Sequence, residues 1–212
     1  MILEREIMRL DLANAALFTV AAAALLGSPG PGIAALISVG RSKGMLSGLR
    51  FYGGLQVGLA AAAAISAAGL FSALQALPLA ARILTIVATA YLLHLAWKIA
   101  TAPVARAGGI AAPKPSGLAD TARGGALLGV TNPKAYIAFA SLMASYPIVG
   151  GRETLDLGVK WLICVAVMVV VDLAWLWLGV MVGKARMTPR AERAMNLTMG
   201  GMILITAVAA FL

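Results

Sequence analysis

The 212-residue sequence predicts an all-α membrane protein with six transmembrane helices, arranged as two inverted three-helix repeats. Three observations predict this class: an apolar composition, six apolar segments of span length, and positive charge in every second loop. Hydrophobic residues make up 61% of the chain and charged residues 12%, and the mean hydropathy is +0.94. Soluble domains have about 25% charged residues. The composition therefore excludes a large soluble domain.

The six candidate spans follow from the length that a membrane requires, which is about 20 apolar residues. Their approximate bounds are residues 10–39, 46–74, 79–100, 121–148, 155–182 and 189–212. The third span begins after Pro78, which is favourable in a first helical turn. Residues 101–119, rich in proline and glycine, are predicted to form a loop. The first span is predicted to be retained rather than cleaved as a signal, because Glu4, Glu6 and Asp11 precede it.

The distribution of positive charge predicts the orientation of the chain. The net charge is +9, and the cations lie between apolar segments rather than along one polar face, which argues against nucleic acid binding. Eleven cations lie in the loops after the first, third and fifth spans: Arg41, Lys43, Arg50, Lys98, Arg106, Lys114, Arg123, Lys184, Arg186, Arg190 and Arg193. The positive-inside rule places these loops in the cytoplasm and both termini outside.

The two halves of the chain share one pattern: a broken span, a long apolar span and a final span. Pro29–Pro31 lies about 100 residues before Asn132-Pro133. The repeats are predicted over about residues 10–100 and 119–212, within a single transporter domain covering residues 1–212. Because three spans per half is an odd number, the halves must have opposite orientations, as in many secondary transporters.

The proline motifs in the first and fourth spans interrupt helical hydrogen bonding, which costs free energy within a membrane. Proline removes a backbone donor, and an unsatisfied backbone group in hydrocarbon costs several kcal/mol, so a break is expected beside a wet cavity or within protein. Ser28-Pro29 and Asn132-Pro133 each place a capping residue before a proline, the order expected at a helix start. Two helix N-termini at one cavity would suit a carboxylate. The alternative is a pair of simple kinks that serve packing.

Few polar side chains lie within the spans. Asp172 is expected to be neutral, paired or lined by water, because an ionised carboxylate in hydrocarbon is costly, and it could carry a proton. Lys134 follows the second break and is its expected partner. The alternatives are a structural hydrogen bond for Asp172 and snorkelling to an interface for Lys134. His94 could shuttle protons but is better explained as interfacial. Tyr52 and Gln56 are assigned to helix packing.

No cofactor is expected. Cys164 is the single cysteine, so no intramolecular disulfide and no Cys/His metal site can form, and it is predicted to be a small apolar residue in a span. The four tryptophans are predicted to lie at the interface or to face lipid. No nucleophile, haem or nucleotide motif is present, which argues against an enzyme.

At the two breaks the sequence resembles the lysine exporter family, including its homoserine and threonine exporters. Those proteins carry T-P-G-P-N in the first span, where this chain has Ser28-Pro29-Gly30-Pro31-Gly32. They also carry a glycine-rich run into N-P-K-A, which matches residues 124–135, and often an aspartate in the fifth span, which matches Asp172. Gly32 departs from the family asparagine and Ser28 from the threonine. Residues 145–148, Ser-Tyr-Pro-Ile, stand where many members have proline-glutamine-phenylalanine.

The resemblance implies export of amino acids or related small metabolites across the inner membrane of a bacterium, driven by proton antiport. The predicted substrate-binding residues are Ser28, Pro29, Gly30, Pro31, Gly32, Thr131, Asn132, Pro133 and Lys134. Asp172 and Lys134 are predicted to couple transport to protons. The expected partners are a small-molecule substrate and membrane lipid, with no nucleic acid, and a homo-oligomer is compatible with the sequence. The alternative function is a channel or a lipid-handling protein of the same architecture.

Overall fold

The structure is a computed structural model that describes residues 10–69, 78–101, 121–185 and 188–209. These residues contain seven helices: α1 Leu12–Gly27, α2 Pro31–Ala67, α3 Pro78–Ala100, α4 Ala122–Thr131, α5 Pro133–Met143, α6 Glu153–Lys184 and α7 Pro189–Ala209. The described part of the chain has no strand beyond one isolated antiparallel bridge between Leu10 and Val149. The predicted all-α class is confirmed.

The helix bounds follow the apolar segments of the sequence. α3 and α6 cover the predicted third and fifth spans, and α7 covers the predicted sixth span up to Ala209, beyond which the residues are not described. α3 and α7 begin at a proline. α2 continues from the first predicted span into the second, but Gly44 interrupts it with φ 75° and ψ −175°, a conformation that favours glycine. We call residues 31–43 and 45–67 the first and second parts of α2. The predicted loop beyond residue 101 and the end of the second span beyond residue 69 lie outside the described residues.

Span length can be judged helix by helix over the described residues. α6 alone is long and apolar enough to cross a membrane. α1 and α2 pass the same test together, as a pair bent by 63° at residues 28–30. Six spans therefore remain a prediction.

Glycine allows α2 and α4 to pack backbone against backbone. Gly54 and Gly58, four residues apart, face α4, where a Cβ on Gly54 would lie 1.8 Å from the carbonyl oxygen of Ala122. Gly125 and Gly129, also four residues apart, face α2, where a Cβ on Gly125 would lie 2.2 Å from the carbonyl oxygen of Phe51. Small residues at this spacing permit close approach of membrane helices. The second part of α2 and α4 thus form one tightly packed pair.

A second glycine interface joins the first part of α2 to α6. A Cβ on Gly40 would lie 2.6 Å from the carbonyl oxygen of Leu176, and a Cβ on Gly179 would lie 2.6 Å from that of Ile37. Trp175 adds a polar contact to α1, where its Nε1 donates to the carbonyl of Gly27 at 3.3 Å. α2 therefore lies between α4 and α6, and α3 pairs with α7.

Ion pairs and hydrogen bonds connect the helices at the two ends of this bundle. At one end, Arg41 of α2 donates to Glu192 of α7 at 2.7 Å and also to Asn196. At the other end, Asp156 of α6 forms a 2.7 Å ion pair with Lys160. Lys160 in turn donates to the carbonyl of Met143 at the end of α5, at 3.0 Å.

The segment between α5 and α6 is held by the same aspartate. Asp156 Oδ1 accepts from the backbone amides of Ile148 at 2.6 Å and Val149 at 2.8 Å. The carbonyl of Ile148 accepts from the amide of Asp11 at 2.8 Å, which ties the start of α1 to this segment. The end of α5 and the starts of α1 and α6 therefore lie together, opposite the end that holds Arg41.

Candidate functional site

The first break separates α1 from α2. α1 ends at Gly27, and Ser28 follows in an extended conformation with φ −72° and ψ 144°. Gly30 precedes α2 in extended backbone, with Pro31 in the first turn. The Ser28 hydroxyl donates back to the carbonyl of Leu25 at 2.7 Å. The sequence suggested that Ser28 caps the start of α2. In the structure Ser28 ends α1 instead, because Gly30 occupies the capping position of α2.

The second break separates α4 from α5. Asn132 stands between them with φ −75° and ψ 105°, and Pro133 begins α5. The Asn132 carbonyl accepts the first helical bond, from Ala135 at 3.0 Å. Its side chain makes no capping bond, although it is only 6% exposed, and its Oδ1 has no partner within the described residues. A buried, unpaired amide oxygen is costly in a protein interior, so it marks this position as a place for a donor.

Lys134 connects the two breaks. Its Nζ donates to the carbonyl of Ser28 and, at 3.2 Å, to that of Pro29. These carbonyls follow the last turn of α1, where prolines 29 and 31 supply no amide donor. The lysine side chain also lies against Gly30, where a Cβ would come within 2.7 Å of Lys134 Cδ. A glycine at position 30 therefore leaves room for the lysine that holds the breaks together.

Asp172 of α6 lies beside the breaks and is 5% exposed. Its Oδ2 accepts a hydrogen bond from Gln56 Nε2 of α2 at 2.8 Å. The sequence suggested Lys134 as the partner of Asp172. Both residues line one cavity, and no ion pair within 4.0 Å joins these two described residues. The reason is that the lysine ammonium is held by the carbonyls of Ser28 and Pro29.

One cavity contains both breaks and Asp172. Its polar lining comes from Ser28, Asn132, Lys134 and Asp172, with Gly30 and Gly32 beside them. Its apolar walls are Leu25, Leu26, Ile33, Leu59, Ala138 and Met168, together with Ala135. The volume open to the centres of water molecules is about 40 Å³, so the cavity has room for a few waters. The cavity thus presents a carboxylate, an amide and two helix starts within an aliphatic shell.

The sequence model of the LysE type translocator family matches residues 23–212, which include both breaks and Asp172. The chain belongs to the LysE type translocator family. No curated protein and no solved structure matches the chain significantly. Membership makes this LysE type translocator a bacterial integral membrane protein that moves a small molecule, and it places the chain in a transporter family rather than an enzyme family.

Gly32 is where this LysE type translocator departs from the family asparagine. A Cβ at Gly32 would lie 3.7 Å from Leu55 Cδ2 and 3.9 Å from Asn132 Nδ2, which are ordinary contact distances. The backbone therefore does not demand glycine at this position. The glycine leaves the cavity wider by one side chain beside Asn132.

The other predicted site residues of the LysE type translocator are placed as follows. Thr131 is buried and donates to the carbonyl of Leu127 at 2.7 Å, within its own helix. Pro31 and Pro133 start the helices that follow the breaks. His94 is exposed on α3 and does not line the cavity.

Several residues outside the predicted site have defined partners. Tyr52 donates to the carbonyl of Val169 at 2.9 Å, and Trp161 to that of Ala60 at 3.0 Å. Trp161 and Trp175 are therefore partly buried and hydrogen-bonded, whereas Trp97 and Trp177 are exposed as the sequence suggested. Gln56, which the sequence analysis assigned to packing, belongs to the site because it donates to Asp172. The sequence feature that could have indicated this role is an isolated amide side chain within an apolar span.

No group of three or more His, Cys, Asp or Glu residues lies close enough to hold a metal ion in the described ranges. Cys164 is fully buried in the apolar core.

Proposed function

We propose that the protein is a secondary-active exporter of amino acids or related small metabolites. It exchanges them for protons across the bacterial inner membrane, at a central site between the two helix breaks. One observation carries the proposal: Lys134, from the second break, bonds the carbonyls of the first break at a cavity that Asp172 also lines. Broken helices that meet at one cavity are how many secondary transporters build their substrate sites.

The backbone at the breaks supports a site for a carboxylate. α2 and α5 both begin at this cavity, and the first amides of a helix lack intrahelical partners. Helix N-termini carry partial positive charge and bind anions. In this proposal the residues 28–32 and 131–134 surround the substrate, and the two helix starts hold its carboxylate.

The order and packing of the helices support two inverted repeats. In the first half, α1 and the first part of α2 form a broken span, followed by the second part of α2 and by α3. In the second half, α4 and α5 form the broken span, followed by α6 and α7. The broken span of each half packs on the long helix of the other half, through α4 on α2 and α1 on α6. This reciprocity is what a two-fold axis in the membrane plane would produce.

The two polar ends of the bundle support the orientation from the positive-inside rule. Arg41 and Arg193 lie at the end where α7 begins, with Arg193 Nη1 donating to the carbonyl of Ala100 at 2.8 Å. We assign this cation-rich end to the cytoplasm. The end with Asp156 and Lys160 then faces outside, together with both termini.

Proton coupling is assigned to Asp172. Among the residues that the structure describes, it is the one carboxylate that lines the cavity, and ionisable residues within a membrane usually serve function. A group that alternates between charged and neutral forms at the substrate site can exchange a proton for the substrate.

Counterflow in proteoliposomes tests the proposal. Vesicles loaded with an unlabelled amino acid should accumulate the same labelled compound, and an imposed proton gradient should drive net movement against the amino acid gradient. Protein-free vesicles are the control. Flux that follows only the amino acid gradient and ignores the proton gradient would contradict antiport and favour a channel.

The orientation is testable by labelling of single cysteines in intact cells. Cys164 is fully buried, so the native background should be low. Ser42 and Glu153 are exposed at opposite ends of the bundle. A Glu153→Cys variant should react with an impermeant maleimide added outside, whereas Ser42→Cys should react only after the membrane is opened. The reverse pattern would overturn the orientation.

A further inference from the structure

The charges in the cavity restrict the substrate, if the function proposed above is correct. Two charged side chains, Asp172 and Lys134, are found among the lining residues that the structure describes. Lys134 is held by the carbonyls of Ser28 and Pro29. Asp172 Oδ2 accepts from Gln56, and no hydrogen bond in the described part of the chain reaches its Oδ1. The cavity therefore offers one carboxylate oxygen to a donor from the ligand.

A second acceptor lies close to the breaks. Asn132 is 94% buried, lines the cavity, and its Oδ1 has no partner within the described residues. A carboxylate and an unpaired amide oxygen together suit a group that carries several N–H donors and positive charge, such as a primary ammonium.

We infer that the substrate is an amino acid with a short, uncharged side chain, whose α-ammonium binds Asp172 and whose carboxylate lies at the starts of α2 and α5. This inference rests on the proposed function and adds the class of substrate. Each charge of the ligand then has one counterpart in the cavity, and the remaining charged group, Lys134, is held by the carbonyls of Ser28 and Pro29.

The apolar walls exclude side chains that carry a charge. The side chain of the substrate would contact residues such as Leu26, Ile33, Leu59 and Met168. A second ammonium, as in lysine or arginine, would lie among these residues with no second carboxylate, and an unpaired charge in such surroundings is costly. A second carboxylate, as in glutamate, could pair only with Lys134, which already holds the breaks together.

The size of the cavity limits the length of the side chain. The cavity has room for a few water molecules only. Gly32 adds room beside Asn132, because it bears no side chain. Short aliphatic or hydroxylated side chains, as in alanine, serine, threonine and valine, therefore fit best.

Competition with labelled alanine in counterflow tests the inference on the wild-type protein. Unlabelled alanine, serine, threonine and valine should inhibit, whereas lysine, arginine and glutamate should need concentrations about tenfold or more higher. L-Lactate, which replaces the ammonium of alanine by a hydroxyl, should be weaker by a similar factor. Lysine competing as well as alanine would overturn the inference but leave the exporter proposal standing. Failure of every amino acid and related metabolite to exchange would instead refute the exporter proposal.

The Asp172→Asn variant tests which residue binds the ammonium. A neutral amide cannot favour an ammonium over a hydroxyl by charge, so the ratio of alanine to lactate affinity should fall towards one. A merely structural Asp172 would weaken both ligands equally and leave that ratio unchanged, which would contradict the inference. Glu153→Gln, an exposed change on the same helix, should keep the wild-type ratio. If Asp172→Asn does not fold, the wild-type comparison of alanine with lactate still decides whether the ammonium is recognised.

Discussion

Replacing Asp172 by asparagine should abolish proton-driven net export. Asparagine has nearly the same shape and can still accept the bond from Gln56, which is 2.8 Å long in the wild type. Folding should therefore change little. The amide cannot alternate between charge states, so proton flux coupled to the substrate gradient should fall to the rate of protein-free vesicles. Exchange of substrate for substrate should survive at reduced affinity, because the backbone at the breaks remains.

The decisive measurement is proton flux recorded alongside substrate flux in the same proteoliposomes. Glu153→Gln is the matched control, since it removes an exposed carboxylate from the same helix without touching the cavity. If Asp172→Asn keeps the wild-type ratio of protons to substrate, Asp172 is a structural hydrogen-bonding residue. His94 would then be the next residue to test as the proton carrier.

Replacing Gly54 by alanine should destabilise the fold strongly. The new Cβ would lie 1.8 Å from the carbonyl oxygen of Ala122. That oxygen belongs to backbone and cannot rotate away, so α4 would have to move from α2. Overpacking typically costs about 1–3 kcal/mol and can cost more, and here we expect about 3 kcal/mol. The melting temperature in detergent should fall by about 5 °C or more.

Gly53→Ala provides the matched control for this packing prediction. Gly53 is the neighbouring residue on the same helix, is exposed, and has no atom within 4 Å of a Cβ built on it. Alanine there should leave the melting temperature unchanged or raise it slightly, because alanine favours helix over glycine. Equal melting temperatures for Gly54→Ala and Gly53→Ala would show that the close approach of α2 and α4 is absent.

The sequence predicted the helices well because hydropathy and proline directly constrain the backbone. The starts of α3 and α7 coincide with prolines, and the breaks lie at the proline motifs. The interruption of α2 at Gly44 was harder to predict, since glycine is frequent throughout this region and few of these glycines, such as Gly44 and Gly69, adopt a positive φ. Gly54 and Gly58 have the spacing of a close helix contact, but their partner α4 could not be predicted from spacing alone.

The contacts of the site were harder to predict, because backbone acceptors leave no pattern in the sequence. Lys134 was named as the partner of Asp172, but its hydrogen bonds to two carbonyls were not foreseen. Ser28 was expected to cap α2, but its hydroxyl bonds the preceding turn. Gln56 became a site residue only when the fold brought α2 against α6. Side chains that satisfy backbone groups depend on where the chain ends its helices, which only the structure supplies.

The glycine interface between α2 and α4 also affects the biogenesis of the protein. Gly54 and Gly58 leave the ribosome well before Gly125 and Gly129, so newly inserted α2 exposes a bare strip of backbone to lipid until α4 arrives. α1 likewise waits for Trp175 and the rest of α6 before its final turn is packed. The packing of α2 and of α1 is therefore completed only after later residues, such as Gly125 and Trp175, have been synthesised.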